Sequence, residues 1–337
     1  MTADTPILVT GAAGFIGHAV TERLLARGDQ VIGIDSFTDY YDVALKKARV
    51  ARLADNFNFR LIDGDIASPG LVEELTKAHG VRRIVHLAAQ AGVRYSLDNP
   101  FAYEHSNLKG HLAVLEAVRQ AGHVEHLVYA SSSSVYGDRP LGGTGFREDE
   151  PCTAPVSLYA ATKRSCELMS QSYATLFGLP LSGLRFFTVY GPWGRPDMAY
   201  FAFARKILLG QSIEVFGEGR MARDFTYIDD IVDGVVGVLD KPPAAGEHRL
   251  LNIGDCNPVG LMDMIALLER ALGRPAIKLM RPMQPGDVTA TFADISAINA
   301  LTGYSPQVPL ARGIERFVDW YLSEIELGGR GPMAAVA

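Results

Sequence analysis

The stretch ILVTGAAGFIGHAVTERLLA, residues 7–26, decides the fold of this chain. A short apolar run leads directly into three glycines, Gly11, Gly14 and Gly17, and then into a segment of helical periodicity. Glycines let the backbone turn tightly and approach a pyrophosphate, which sits on the free N–H groups at the start of the helix. A glycine-rich turn alone is a weak signal, but the flanking strand and helix supply the required context. The stretch therefore predicts a dinucleotide-binding βαβ unit, with GxxGxxG in place of the commoner GxGxxG.

The same alternation of apolar strands and helical segments continues outward to about residue 190. Strands that are apolar throughout and separated by helices indicate a parallel sheet covered on both faces. We therefore predict an α/β protein with a doubly wound parallel Rossmann sheet over residues 1–190. Shorter elements with many Pro and Gly turns follow, and they predict a smaller mixed α/β substrate lobe over 191–326. This boundary is soft and the chain may re-cross it, and residues 327–337 are expected to form a frayed tail.

Composition excludes several classes of partner. The chain has 337 residues, and 32 Lys and Arg against 38 Asp and Glu give a net charge of −6. This balance argues against nucleic acid or an anionic membrane as the main partner. The 3 cysteines have no metal-ligand spacing, which favours reduced thiols in a cytoplasmic protein. No apolar run approaches the roughly 18 residues of a membrane span, and no shared spacing of the histidines predicts a metal site.

Further residues extend the cofactor site along the predicted sheet. Asp35 ends the second strand about 20 residues after the glycines, where a carboxylate accepts hydrogen bonds from the ribose hydroxyls. It would repel the 2′-phosphate of NADP, so NAD is the predicted cofactor. The third strand places Asp65 and Ile66 near the adenine. The other cofactor contacts follow the first and fourth strands, namely Phe15, Ile16, Leu87, Ala88, Ala89 and Gln90.

The segment SLYAATKRSCE, residues 157–167, places Tyr159 and Lys163 one helical turn apart. Such a pair is common on any helix. The preceding strand, however, ends in YASSSSVYG at the carboxyl edge, where open α/β sheets bind ligands. A phenol, a serine hydroxyl and a nicotinamide can therefore converge at this edge.

These motifs, followed by RDFTYIDD at 223–230, occur in this order in the extended short-chain dehydrogenase/reductase family of nucleotide-sugar enzymes, which the chain resembles over nearly its whole length. The resemblance implies that Tyr159 is the acid/base and that Lys163 favours its anion and holds the nicotinamide ribose. It assigns the contact with the reacting hydroxyl to Ser132. It also implies a homodimer formed by the helices near 101–121 and 156–177.

Within that family, the chain resembles the UDP-glucuronate 4-epimerases, which interconvert UDP-glucuronate and UDP-galacturonate through a 4-keto intermediate. It has serines where dehydratases carry an acidic pair and decarboxylases a glutamate, and it has Thr188 where galactose epimerases have asparagine. Small hydroxyls at Ser133, Ser134 and Thr188 suit a substrate carboxylate. The resemblance implies a diphosphate contact for Arg223. The remaining substrate contacts that it implies, some of them weaker, are Arg195, Val215, Phe216, Arg281 and Asp287.

Alternatives remain at this point. The enzyme classes that compete are a 4-epimerase of neutral UDP-hexoses, a UDP-glucuronate decarboxylase and a 4,6-dehydratase, and a catalytically silent NAD-binding scaffold is a further possibility. Asn107, in SNLKG, either orders the site through a water or bends a buried helix. The segment KKARVARLADN, residues 46–56, is expected to be a solvated helix face.

Overall fold

The computed structural model describes residues 5–138, 144–284 and 286–326. The predicted frayed tail therefore lies outside the described residues. The strands are β1 (Ile7–Thr10), β2 (Val31–Asp35), β3 (Phe59–Asp63), β4 (Arg83–His86), β5 (His126–Ser132), β6 (Leu181–Phe186), β7 (Thr188–Tyr190), β8 (Ser212–Val215), β9 (Ala222–Tyr227), β10 (His248–Ile253), β11 (Pro258–Gly260) and β12 (Ile277–Met280).

The helices alternate with these strands through the first half of the chain. They are α1 (Phe15–Ala26), α2 (Val43–Ala51), α3 (Leu71–Ala78), α4 (Tyr95–Asp98), α5 (Pro100–Tyr103), α6 (Gly110–Ala121), α7 (Leu158–Phe177), α8 (Ala199–Leu208), α9 (Ile228–Leu239), α10 (Leu261–Leu272), α11 (Ser296–Thr302) and α12 (Leu310–Trp320). The segment of helical periodicity that follows the three glycines is thus confirmed as helix α1.

Across the described ranges, the main sheet has seven strands in the order β10-β6-β5-β4-β1-β2-β3, and every pairing in it is parallel. Neighbouring residues of its strands point to opposite faces. Leu8 packs in one hydrophobic cluster, whereas Ile7 and Val9 pack in the other. Ile84 and Val85 divide in the same way. Both faces are therefore covered, as the apolar strands predict, and the Rossmann-type α/β fold is confirmed.

The helix predicted near 101–121 is interrupted. Its first turn, α5, runs into a π-helical segment, Glu104–Lys109, before α6 begins. The wider π turn contains Asn107, which is buried. Single-turn π segments of this kind often occur at functional sites.

The later part of the chain forms smaller sheets and also returns to the main one. The strands β11, β9 and β7 form a three-stranded sheet, and β12 pairs with β8. In contrast, β10 pairs with β6 and becomes the edge strand of the main sheet. The boundary expected at residue 190 therefore does not coincide with the end of the sheet. Within the described part of the chain, no helix combines the length and apolar character needed to cross a membrane.

Candidate functional site

A cavity of about 470 Å³ lies along the carboxyl ends of the main-sheet strands. It brings together most of the residues predicted from the sequence. Those that line it are Gly11, Gly14, Phe15, Ile16, Gly17, Asp35, Asp65, Ile66, Leu87, Ala88, Ala89, Gln90, Ser132, Ser133, Ser134, Tyr159, Lys163, Thr188, Arg195, Arg223 and Asp287. Val215, Phe216 and Arg281 are not among its lining residues.

The glycine loop has the backbone geometry of a phosphate cradle. Gly11 has φ 73°, and a Cβ there would lie 2.7 Å from the backbone nitrogen of Ala88. A Cβ on Gly17 would lie 2.0 Å from the carbonyl oxygen of Gly11. Helix α1 begins at Phe15 with no side-chain cap on its first N–H groups. Those N–H groups face the cavity and can donate to an anion, so the residues present fit a dinucleotide pyrophosphate.

Asp35 is held at the end of β2 by two backbone donors. Its Oδ2 accepts from Ala13 N at 2.9 Å, and its Oδ1 accepts from Phe37 N at 2.9 Å. Each carboxylate oxygen keeps a further lone pair toward the cavity. The side chain is therefore positioned to accept from ribose hydroxyls.

Tyr159 and Lys163 lie where α7 meets β5. The hydroxyl of Ser157 accepts a hydrogen bond from Ala160 N at 3.1 Å, so α7 begins immediately after it and its first turn carries Tyr159. One turn later, Nζ of the buried Lys163 donates to the carbonyl oxygen of Ala130 at 2.9 Å. This contact ties the lysine to the strand that ends in the serines.

Ser132 faces the same space and is oriented by its neighbour. Its Oγ accepts from the Ser134 hydroxyl at 2.9 Å and from the Ser134 N–H at 3.2 Å. Its own proton therefore remains available to an oxygen in the cavity. Ser132, Tyr159 and Lys163 thus line the same cavity as the glycine loop.

Asn107 connects the π segment to two parts of the site. Its Nδ2 donates to the carbonyl oxygen of Gln90 at 3.0 Å and to the Thr162 hydroxyl at 3.0 Å. Its Oδ1 accepts from Gln90 N at 2.8 Å. The asparagine thus holds the loop after β4 against helix α7.

Arg195 is held at the far end of the cavity by an acidic neighbour. Its guanidinium forms two hydrogen bonds with Asp197, at 3.0 and 2.5 Å. The hydroxyl of Tyr40 donates to Asp197 at 3.0 Å. Burial raises the pKa of Asp197, but the Arg195 charge outweighs it and holds that pKa below its usual range. The arginine therefore reaches the cavity with its own orientation fixed.

The other candidate substrate residues divide into two groups. Arg223 lines the cavity and donates to the carbonyl oxygen of Val288 at 2.8 Å, and burial lowers its pKa. Asp287 forms an ion pair with Arg94, whose guanidinium lies 4.6 Å from the ring centre of Phe216.

The second group lies off the cavity. Arg281 is about half exposed and pairs with Glu214 at 3.2 Å, while Val215 is fully buried. The geometry thus brings Arg223 and Asp287 to the cavity but leaves Arg281 at the surface.

The segment 46–56 was predicted to be a solvated helix face, and this prediction is wrong for two of its basic residues. Lys46 and Arg49 are buried, with exposed fractions of 6% and 0%. Lys46 lines the cavity and donates to the carbonyl oxygen of Thr38 at 2.6 Å. Tyr40 and Tyr41 also line the cavity without having been predicted to do so. Their position five and six residues after Asp35 in the sequence was the available signal.

The fold and this site define a nucleotide-dependent enzyme with a Rossmann-type sheet. The model of the NAD dependent epimerase/dehydratase family matches residues 7–254. The chain belongs to this family.

Relatives and solved structures agree with that assignment. The chain is 45% identical to UDP-glucuronate 4-epimerase 2 of Arabidopsis thaliana over 98% of its own length and 78% of that protein. It is 44% identical to a probable UDP-glucuronate 4-epimerase of Rhizobium meliloti, over 93% of this chain and 96% of the relative. A structure of UDP-glucuronic acid 4-epimerase from Bacillus cereus, in complex with UDP-glucuronic acid and NAD, superposes with a TM-score of 0.88 at 36% identity, covering 94% of this chain and 98% of the other.

Proposed function

We propose that the protein is a UDP-glucuronate 4-epimerase that interconverts UDP-glucuronate and UDP-galacturonate. The observation that carries the proposal is the single cavity that joins the acid/base group to a set of carboxylate-binding side chains. Its lining includes Ser132, Tyr159 and Lys163, the proposed acid/base group, together with the hydroxyl residue Thr188 and the cation Arg195. The identity to UDP-glucuronate 4-epimerases over nearly the whole chain supports the same substrate.

The chemistry at C4 follows from the acid/base group. Bound NAD, held by the glycine loop and Asp35, would supply the hydride acceptor and donor for the reaction at C4. Tyr159 takes the proton of the C4 hydroxyl as the carbonyl forms, and it gives the proton back in the reverse step. Ser132 donates to the same oxygen. Lys163 lies one turn away on α7 and holds the nicotinamide ribose.

Inversion requires the keto sugar to rotate while the nucleotide stays in place. Arg223, whose guanidinium reaches the cavity, holds the diphosphate by charge-assisted hydrogen bonds. The sugar then turns about its bonds to the diphosphate and presents its other face to the nicotinamide. Epimerisation has no net redox change, so the cofactor is regenerated at each turnover and remains bound.

The substrate carboxylate creates a side reaction that the site must suppress. Oxidised at C4, the glucuronate becomes a β-keto acid. If its C5–carboxylate bond aligns with the carbonyl π system, that bond breaks, CO₂ leaves, and the electron pair forms an enolate that is protonated at C5 to a 4-keto-pentose.

We assign Ser133, Ser134 and Thr188 to holding the carboxylate so that this bond lies near the carbonyl plane. Arg195 restricts its motion in both orientations of the sugar. A dense set of hydrogen bonds also keeps the carboxylate charged, which opposes the loss of neutral CO₂.

The test offers UDP-glucuronate, UDP-glucose and UDP-xylose to the purified protein and resolves the products by NMR. We expect that UDP-glucuronate is the only one of the three to be converted, and that its product is UDP-galacturonate. Tyr159→Phe is expected to keep the fold and lose most of the turnover, whereas a binding scaffold would keep its function.

The carboxylate assignment has its own test, because Thr188→Val is expected to raise the ratio of UDP-4-keto-pentose to UDP-galacturonate. If Thr188→Val slows both products equally, the carboxylate assignment is wrong.

We also propose that the protein is a homodimer. Helices α6 and α7 lie side by side and expose large apolar side chains. Leu168 on α7 is 55% exposed, and it shares a helical face with Ala161, Ser165 and Ser172. Two such helix pairs would pack as a four-helix interface. The three cysteines, Cys152, Cys166 and Cys256, accord with reduced thiols in a compartment such as the cytoplasm.

A further inference from the structure

Helix α2 carries a buried cation that the reaction scheme does not use. Asp42 caps this helix, with its Oδ1 accepting from Ala44 N at 2.7 Å. Two turns later, Arg49 is fully buried. Burying a guanidinium is costly unless its donors are satisfied, so its partners indicate what the burial achieves.

All five N–H groups of Arg49 have acceptors. Nε and Nη2 donate to the carbonyl oxygen of Trp193, at 2.9 and 2.7 Å. Nη2 also donates to the carbonyl oxygen of Gly194 at 3.0 Å. Nη1 donates to the carbonyl oxygen of Ala13 at 3.0 Å and to the Tyr41 hydroxyl at 2.7 Å. Because a guanidinium has five N–H donors in a fixed planar fork, its whole donor capacity is used.

The three carbonyl acceptors belong to two loops that line the cavity, one before α1 and one that contains Arg195. Ala13 lies within the glycine loop, and Asp35 accepts from its N–H on the other side. Gly194 directly precedes Arg195, the cation assigned to the substrate carboxylate. We call the glycine loop the dinucleotide cradle and the loop that contains Trp193, Gly194 and Arg195 the substrate-facing loop. Arg49 therefore joins the two through backbone atoms.

The substrate-facing loop needs such support. Trp193 has φ 60°, which is unfavourable for a bulky side chain and persists only where the surroundings impose it. A Cβ on Gly194 would lie 1.7 Å from the hydroxyl oxygen of Tyr200, so the backbone there has little room to shift. The two hydrogen bonds to the Trp193 carbonyl fix the peptide that leads into Gly194.

We propose that Arg49 is a positioning residue, which sets the place of Arg195 relative to the dinucleotide cradle and so controls how the keto intermediate partitions between reduction and loss of CO₂. This inference rests on the proposed function. Arg49 itself does not contact the substrate. It acts through the peptides of Trp193 and Gly194.

The test replaces the planar fork while keeping the charge. Arg49→Lys retains a cation, but a single ammonium cannot reach acceptors on both loops. The readout is the ratio of UDP-4-keto-pentose to UDP-galacturonate in single time courses, which does not depend on how much of the protein is folded. We expect that ratio to rise about three- to tenfold, because small displacements of a positioning group change rates on this scale or more. NAD content per folded chain is measured on the same samples.

Arg52→Lys is the matched control. Arg52 follows the same helix and stacks on the Trp193 ring, with 5.1 Å between its guanidinium carbon and the ring centre, and it pairs with Glu22 at 3.1 Å. Its variant should leave the product ratio unchanged. Should Arg49→Lys fail to fold, Tyr41→Phe removes one acceptor of the same guanidinium and is expected to raise the ratio by a smaller factor.

The outcomes separate the two hypotheses. A wild-type protein that forms no UDP-galacturonate from UDP-glucuronate overturns the proposed function. A wild-type protein that epimerises normally, with Arg49→Lys or Tyr41→Phe folded and giving an unchanged product ratio, overturns the positioning role alone.

Discussion

The hydroxyl of Ser131 donates a 2.6 Å hydrogen bond to Glu167, and both side chains are buried. Ser131 directly precedes Ser132, which we propose to contact the reacting hydroxyl, and Glu167 lies one helical turn beyond Lys163. The same carboxylate pairs with Arg185 of β6 at 2.8 and 3.0 Å. This contact fixes the strand that carries the serine against the helix that carries the tyrosine and lysine.

Glu167→Gln is expected to lower the free energy of unfolding by about 3–5 kcal/mol, because it leaves Arg185 buried without its counter-charge. Urea denaturation followed by circular dichroism measures this change. Glu73→Gln breaks the exposed pair between Glu73 and Lys77 and should cost less than about 1 kcal/mol. Equal losses for the two variants would contradict the structural role of the buried pair.

Asp35→Asn is expected to weaken NADH binding about tenfold and to narrow the preference for NADH over NADPH. The variant loses a charged acceptor for the ribose hydroxyls and the repulsion of a 2′-phosphate. Fluorescence titration with both nucleotides measures the two affinities. Asp39→Asn, an exposed position in the same loop, should change neither affinity. If the ratio of the NADH affinity to the NADPH affinity is unaltered in Asp35→Asn, Asp35 is not the acceptor for the ribose hydroxyls.

Asp197→Asn is expected to raise the ratio of 4-keto-pentose to epimer severalfold, since Arg195 loses its charged partner and its fixed orientation. Product NMR under single-turnover conditions measures this ratio. Tyr40→Phe removes only the hydrogen bond to Asp197 and keeps the ion pair, so its effect should stay below about twofold. A larger effect from Tyr40→Phe than from Asp197→Asn would show that the ion pair is not what holds Arg195.

Leu168→Asp is expected to convert the dimer to monomer, because a charge in the middle of the proposed four-helix interface cannot be desolvated cheaply. Light scattering at micromolar concentration measures the molecular mass. Leu209→Asp serves as the control, since this leucine is 57% exposed at the end of α8, away from α6 and α7. A wild-type protein that scatters as a monomer would remove the dimer proposal altogether.

Asp255→Asn is expected to stabilise the protein at neutral and alkaline pH. Burial, with the nearby Asp224 and Asp230, raises the pKa of Asp255 to about 7. The folded state therefore holds this proton more tightly than the unfolded state, and stability is lost as the pH rises through 4 to 7. The gain from Asn should grow over that range and level off above it, at on the order of 1 kcal/mol because the side chain is only half-buried. Melting temperatures from pH 4 to 8 test this, and a gain that is constant over that range would contradict it.

The sequence predicted the elements whose signals are local. The apolar strands, the glycine turn and the Tyr159–Lys163 spacing each lie within a few residues, and the parallel sheet and its covered faces are confirmed. The burial of Arg49 was not predictable in this way. Its acceptors at Trp193 and Gly194 lie 144 and 145 positions later in the chain, and no local pattern encodes them. A short basic helix looks solvated until the tertiary structure covers it.

Local sequence patterns also could not predict the position of β10 in the main sheet. Its sequence, HRLLNI, is apolar only in part, and nothing in it specifies β6 as its neighbour. The parallel partner of a strand depends on the path of the whole intervening chain. The cavity shows the reverse case, because strand ends of a parallel sheet meet at one edge and so gather residues that are distant in the sequence.

The strand order has a consequence for the nascent chain. As the ribosome releases the protein, β6 emerges with all six of its residues destined for burial, yet its outer neighbour β10 is still unmade. Roughly sixty further residues must be translated, which takes several seconds at about 5–20 residues per second. During that interval an apolar strand edge stands open to any other chain. The strand order therefore leaves the edge of β6 available for pairing with another chain until β10 has been made.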